Sequence, residues 1–228
     1  MQEKELSPVE QFYVWLEEEL EELATNGPKV KRGRKPSKKQ YFTYMNEKAI
    51  VAFNKETNHL IYKLAKSLKE AWISGKRVFL CGNGGSAGNA IHIANDLIYG
   101  AGACGDEPVL PGLKVIALPS NPAVLTCLAN DTGFENIFSH QINVQAEKND
   151  ILIALSGSGN SKNIINALKM ANSKGLKTFA ILAFSGGECI KIAKHSIYFP
   201  VKDMQIAEDL QLIIGHLCMQ WLSMNKTL

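Results

Sequence analysis

Apolar positions along this chain fall into two alternating rhythms. Short continuous runs occur at 77–81 (RVFLC), 114–118 (KVIAL), 151–155 (ILIAL), 178–182 (TFAIL) and 196–200 (SIYFP). They are largely apolar, bounded by turn residues and without in/out alternation, so they predict strands covered on both faces. Between them the spacing predicts helices at 86–99, 121–129, 135–147, 160–174 and 188–194, and a last one from about Ile206 to Met224. Another helix, 45–74, precedes the first strand, with Ile50, Phe53, Leu60, Ile61, Leu64, Leu68 and Trp72 on helical spacing. Strand alternating with helix predicts an α/β fold: a three-layer, doubly wound, five-stranded parallel sheet with right-handed crossovers. No internal repeat breaks this order.

The front of the chain follows another pattern. In residues 8–24, Phe12, Leu16, Leu20 and Leu23 recur at helical steps among glutamates. After it, NGPKVKRGRKPSKK has Gly, Pro and basic residues but no periodicity, as a linker does. Residues 1–28 carry eight acids against Lys4, and residues 29–39 carry seven bases and no acid. These charges cancel, so the overall +3 belongs to the remainder, which is only mildly basic and implies no broad nucleic-acid surface. The organisation expected is a charged helix and basic linker over 1–40, an N-terminal extension, followed by one α/β domain over 41–228.

Composition removes several classes of function. With 46% hydrophobic and 21% charged residues in 228, the chain has the make-up of a folded globular domain. No apolar run is long enough to span a bilayer, and the start lacks the pattern of a secretory signal. The five cysteines, Cys81, Cys104, Cys127, Cys189 and Cys218, contain no CxxC pair. Free thiols and a cytoplasmic location are expected, not a cysteine zinc site.

In doubly wound sheets ligands bind beyond the carboxyl ends of the strands. After the first strand comes Gly82-Asn-Gly-Gly-Ser86, neither a dinucleotide fingerprint nor a P-loop, with Ser86 a plausible cap for the next helix. After the third comes Ser156-Gly-Ser-Gly-Asn-Ser161, three hydroxyls at a helix start. Hydroxyls with backbone N–H groups suit a phosphate ester without lysine or metal. His92 and Asp96 share one helix face, and Glu208 and His216 share a broad face of the last helix. Together they can supply four N/O ligands to zinc, or equally a base and an acid for proton transfer. Asn130-Asp131 is most simply a helix end, with Asp131 within reach of a ligand hydroxyl.

These segments, CGNGGSAGNAIHIANDL, LANDTGFENIFSHQ, ALSGSGNSKNIINAL and AEDLQLIIGHLC, resemble the single-domain sugar isomerase (SIS) family over about 45–225. The nearest branch isomerises sedoheptulose 7-phosphate to D-glycero-D-manno-heptose 7-phosphate through an enediol. The resemblance implies that Asn83, Gly84, Gly85 and Ser86, with Ser156, Gly157, Ser158 and Ser161, hold the phosphate and hydroxyls. It adds Asn130, Asp131, Asp96 and Glu208 as substrate contacts. The family's zinc-binding catalytic set, His, Glu, Gln and His, falls on His92, Asp96, Glu208 and His216. Two positions depart from the pattern: Asp96 stands for Glu and Glu208 for Gln, so one carboxylate retreats by about one C–C bond while another is gained. Asp96 or Glu208 is implied as the base, His216 as the acid, and one zinc per subunit as cofactor. A homotetramer is implied too, with the apolar face of helix 45–74 as its packing surface, in a pathway making heptose for lipopolysaccharide or capsule.

Some single-domain relatives instead bind a replication initiator or serve as regulatory assembly factors, and tend to lose the catalytic carboxylate. Retention of Asp96, Glu208 and His216 favours the enzyme. Lys31-Arg-Gly-Arg-Lys-Pro36 resembles the core of an AT-hook. A single short basic run is usually a solvated linker, so nucleic acid is not an expected partner.

Overall fold

The computed structural model describes residues 11, 14, 53–105 and 108–226. The expected helix at 8–24, the basic linker and residues 45–52 lie outside these, apart from single positions.

Five parallel strands form one sheet: β1 Arg77–Cys81, β2 Lys114–Ala117, β3 Ile151–Ser156, β4 Lys177–Leu182 and β5 His195–Tyr198, in spatial order β2-β1-β3-β4-β5. All five expected strands are present, within two residues at either end. The apolar runs have a direct physical cause. Successive strand side chains point to opposite faces, and here both faces are covered. Val78, Leu80, Ile151, Ile153, Leu155, Phe179 and Ile181 enter one core layer. Phe79, Cys81, Leu152, Ala154, Ala180 and Leu182 enter the other.

The first layer is closed by α1 Lys55–Ile73, α2 Gly85–Asn95 and the long α7 Met204–Met224. The second is closed by α4 Ile137–Gln145, α5 Lys162–Ser173 and α6 Cys189–Ile192. A further helix, α3 Pro122–Thr132, buries no residue. Burying each large aliphatic side chain contributes about 1.5–3 kcal/mol, so these two layers hold the sheet between helices. Among the described residues, no helix is long and apolar enough to cross a membrane.

Three expectations are corrected. The helix expected from 45 has its start at Lys55: Asn54 caps it, accepting from the Glu56 and Thr57 N–H groups at 3.0 Å each, and Phe53 stands before it. The apolar residues Ile61, Leu64, Leu68 and Trp72, expected on a face for another subunit, are instead spent in the chain's own core. The helix after β1 continues beyond its α-helical part into a π turn, Asp96–Gly100, and a last α turn, Ala101–Ala103.

Candidate active site

The strand order reverses between β1 and β3, where the chain lays β2 on one side and then β3 on the other. A crevice opens at the carboxyl ends of such a strand pair, because the connections leave to opposite faces. The turn after β1 leads to α2 on one face, and the turn after β3 leads to α5 on the other. The Gly-rich and Ser-rich turns therefore flank one switch point.

Gly84, with φ of 55°, is the N-cap of α2, so Ser86 is not the cap that the sequence suggested. Ser86 lies inside the first turn and is buried. The cap provides no side-chain hydrogen bond, and the helix start is left to other partners. Glu208 from α7 supplies one neighbour: its carboxylate packs where a Cβ on Gly85 would sit. A side chain at residue 85 would drive that carboxylate away.

The Ser-rich turn is more internally bonded. Ser156 is buried, and its hydroxyl accepts from the Gly159 N–H at 3.1 Å. The Ser158 hydroxyl accepts from the Asn160 N–H at 3.3 Å. Gly157 is buried between them, and Ser161 caps α5 without a side-chain bond to the helix.

Two helices bring the titratable groups together. Gly215 on α7 faces Ile93 on α2, closely enough that a Cβ would collide with the isoleucine. Each of these is the immediate neighbour of a histidine, so the close approach sets His216 beside His92. One turn earlier the helices are tied again. Asn89 Nδ2 donates to the Glu208 carbonyl at 2.9 Å and to Gln211 Oε1 at 3.1 Å. Asn89 and Gln211 are both buried.

His92 Nε2 and His216 Nε2 lie 2.9 Å apart. Asp96 Oδ2 is 3.4 Å from the first and 3.5 Å from the second. The Asp96 carboxylate is the most enclosed of the three, with 16% of its side chain exposed. Asp96 is also the first residue of the π turn, a device that recurs at functional sites in helices. Three ligand-type atoms thus lie within 4.8 Å of one another.

The structure joins His92, Asp96 and His216 but leaves Glu208 with Gly85, outside that trio. Asn130 and Asp131 sit exposed on the last turn of α3. Asn130 donates to Asp131 Oδ1 at 2.7 Å, and the Cys127 thiol contacts Asp131 Oδ2 at 3.5 Å. That bond and the carboxylate's charge push the Cys127 thiol above its ordinary value. Sequence reasoning missed one residue here, Asn163, whose amide pairs with Asn83. The available signal was a polar side chain directly before the apolar pair Ile164-Ile165, two residues after the end of the Ser-rich turn.

Comparison with known proteins agrees with this fold. The family model described as SIS domain matches residues 40–183. The phosphoheptose isomerase of Maridesulfovibrio salexigens is 34% identical over 166 residues, 73% of this chain and 78% of that protein. That of Sulfurimonas denitrificans is 38% identical over 165 residues, 71% and 82% of the two chains. The solved phosphoheptose isomerase from Francisella tularensis superposes with a TM-score of 0.76 at 26% identity, covering 82% of this chain and 97% of that one.

Proposed function

The chain belongs to the SIS-domain family and to its phosphoheptose isomerases, and from that premise we propose how its residues divide the work. It is an aldose–ketose isomerase of a phosphorylated sugar, and its reaction is sedoheptulose 7-phosphate to D-glycero-D-manno-heptose 7-phosphate. The observation that carries the assignment of roles is the convergence of His92, Asp96 and His216 beside two small-residue turns at one switch point.

The Gly-rich turn (Asn83, Gly84, Gly85, Ser86) and the Ser-rich turn (Ser156, Gly157, Ser158, Ser161) bind the phosphate and hydroxyls through backbone N–H and hydroxyl groups. Asn130 and Asp131 reach a sugar hydroxyl. Asp96 removes the proton from C1 of the ketose and returns it to C2, through the enediol. His216 exchanges the proton between the C2 and C1 oxygens. Glu208 sits where its carboxylate approaches the α2 N-terminus and meets the sugar from that side.

The three-residue cluster suits zinc. Ligand atoms around a tetrahedral zinc lie about 3.3–3.4 Å from one another, and the separations here are 2.9, 3.4 and 3.5 Å. Two imidazole nitrogens and one carboxylate oxygen are also the donor types that zinc prefers. We read His92, Asp96 and His216 as the ligands of one zinc per subunit, with Glu208 as a fourth, more distant candidate. If bound, the metal would supply Lewis-acid polarisation of the sugar oxygens in place of proton exchange at the His216 Nε2 it occupies.

A homotetramer follows from the same reading. Helix α3 leaves Val124, Leu125 and Leu128 only partly buried, the two leucines against the chain's own second core layer, while Tyr99 and Phe134 stand exposed. Tyr99 and Phe134, with the outward side of α3, are the surface for partner copies. The product would supply heptose for lipopolysaccharide or capsule in the cytoplasm, where exposed thiols such as Cys104 and Cys127 stay reduced.

The test is an isomerase assay over C5, C6 and C7 ketose phosphates, with the metal-stripped and the zinc-loaded protein. Conversion of the heptulose, strengthened by zinc, is expected. Turnover of only the shorter sugars would move the substrate, and no turnover of any would overturn the enzyme.

A further inference from the structure

Two side-chain amides close head to head across the switch point. Asn83 Nδ2 donates to Asn163 Oδ1 at 2.9 Å, and Asn163 Nδ2 donates back to Asn83 Oδ1 at 2.8 Å. Asn83 belongs to the Gly-rich turn that leads into α2. Asn163 lies in the first turn of α5, just beyond the Ser-rich turn, and is 1% exposed. Because α2 and α5 pack on opposite faces of the sheet, this pair bridges the two walls of the crevice.

The pairing fixes an orientation as well as a distance. A primary amide has two N–H donors and two acceptor lone pairs. The ring uses one of each from Asn83 and leaves one N–H and one lone pair. A flip of Asn83 alone would set oxygen against oxygen and N–H against N–H, so the direction of the remaining groups is locked by Asn163. Buried amides left without such a partner are costly, which favours the locked arrangement.

We propose that Asn163 is a positioning residue of the isomerase site: it holds the Asn83 amide in the one orientation that meets the phosphosugar. The inference rests on the reading that Asn83 binds the sugar. Asn163 itself touches no substrate and acts through Asn83.

The experiment is a double-mutant cycle on the zinc-loaded full chain, with N83A, N163A and N83A/N163A. It reads kcat and KM for sedoheptulose 7-phosphate, Kd for the same sugar by calorimetry, and thermal stability. N163A is expected to raise KM about tenfold with kcat within about threefold, the loss typical of one hydrogen bond. The double variant is expected to match N83A within about twofold, because a residue that acts only through Asn83 adds nothing once Asn83 is gone. A merely structural role would lower stability and multiply the two penalties. Multiplied penalties, or a KM for N163A within about twofold of the parent, would overturn the proposal. If N163A does not fold, N163L, which fills the volume without the bonds, takes its place. A parent chain that binds the heptulose without turnover removes the isomerase and leaves the cycle to be judged in Kd. A parent that neither binds nor turns it over removes both.

Discussion

The two edges of the sheet are built from similar residue types and use them in opposite ways. At the amino edge the polar groups are paired off. Asp150, 1% exposed, accepts from the Arg77 N–H at 2.9 Å and from the Glu147 N–H at 2.8 Å. Lys177 meets Glu70 at 2.7 Å, and Arg77 meets Glu147 at 3.3 Å. At the carboxyl edge His92, Asp96 and His216 converge on one another instead, and among the described residues the ion pairs of Asp96 are with these two histidines. The amino edge even holds an open groove of about 470 Å³, lined by Ser67, Glu70, Lys76 and Lys177 among others. Hollow space alone therefore does not distinguish the two edges. Groups whose chemistry has been left unspent do, and they sit where the strand order reverses.

The sharpest way to break that contrast is to remove one member of the trio. D96N keeps the shape of the side chain and removes the base, and H216Q removes the acid. Each is expected to lower kcat by about 10²–10⁴-fold, with an unchanged circular dichroism spectrum and a melting temperature near that of the parent. Steady-state assays at saturating sedoheptulose 7-phosphate measure this. Normal turnover by both variants would mean that the carboxyl edge is no different in kind from the amino edge.

The converse change at the amino edge should reverse the pattern. D150A strips the acceptor from two backbone N–H groups at the entries to β1 and β3. Leaving two such donors without partners costs about 2–4 kcal/mol. Urea titration should show that loss, while kcat and KM of the folded fraction stay within about twofold. A large fall in kcat with little loss of stability would show that the two edges are coupled.

The sequence made the fold more legible than the site, and the reason is physical. A strand buried on both faces must be apolar along its length, so β1, β3 and β4 were visible as runs. Helix starts were less visible because the capping groups compete: Ser86 has the better capping chemistry, yet Gly84 reaches the φ of 55° that the turn needs. The π turn at Asp96 leaves no periodic trace, since one inserted residue in a helix looks like ordinary drift in spacing. The His92–Asp96 pair was readable from four-residue spacing. Its meeting with His216 depends on Gly215 lying against Ile93 across two helices, which no local pattern encodes. The face of α1 was misassigned as a surface because an apolar stripe does not say whether its own core or another subunit covers it.

The smallest effect belongs to His195, at the start of β5 on the amino edge. Its ring packs on Phe179, with centroids 4.9 Å apart. Burial first, and then the positive charges of Lys63, Lys194 and Lys177, hold its imidazole below the ordinary value. The unfolded chain therefore takes up this proton at a higher pH than the folded one. Above about pH 6.5 neither form is protonated and His195 costs nothing. As pH falls below that and through the lower folded value, the unfolded state gains the proton first and stability drops, levelling off once both forms are charged. H195N should remove that part of the fall, so the parent and the variant diverge only on the acid side in urea titrations from pH 8 to 5. Their kcat profiles should superimpose over the same range, because the titrating group lies on the edge of the sheet away from the trio. Curves that diverged instead above pH 7, or a shifted kcat profile, would place His195 in the chemistry and erase the division between the two edges.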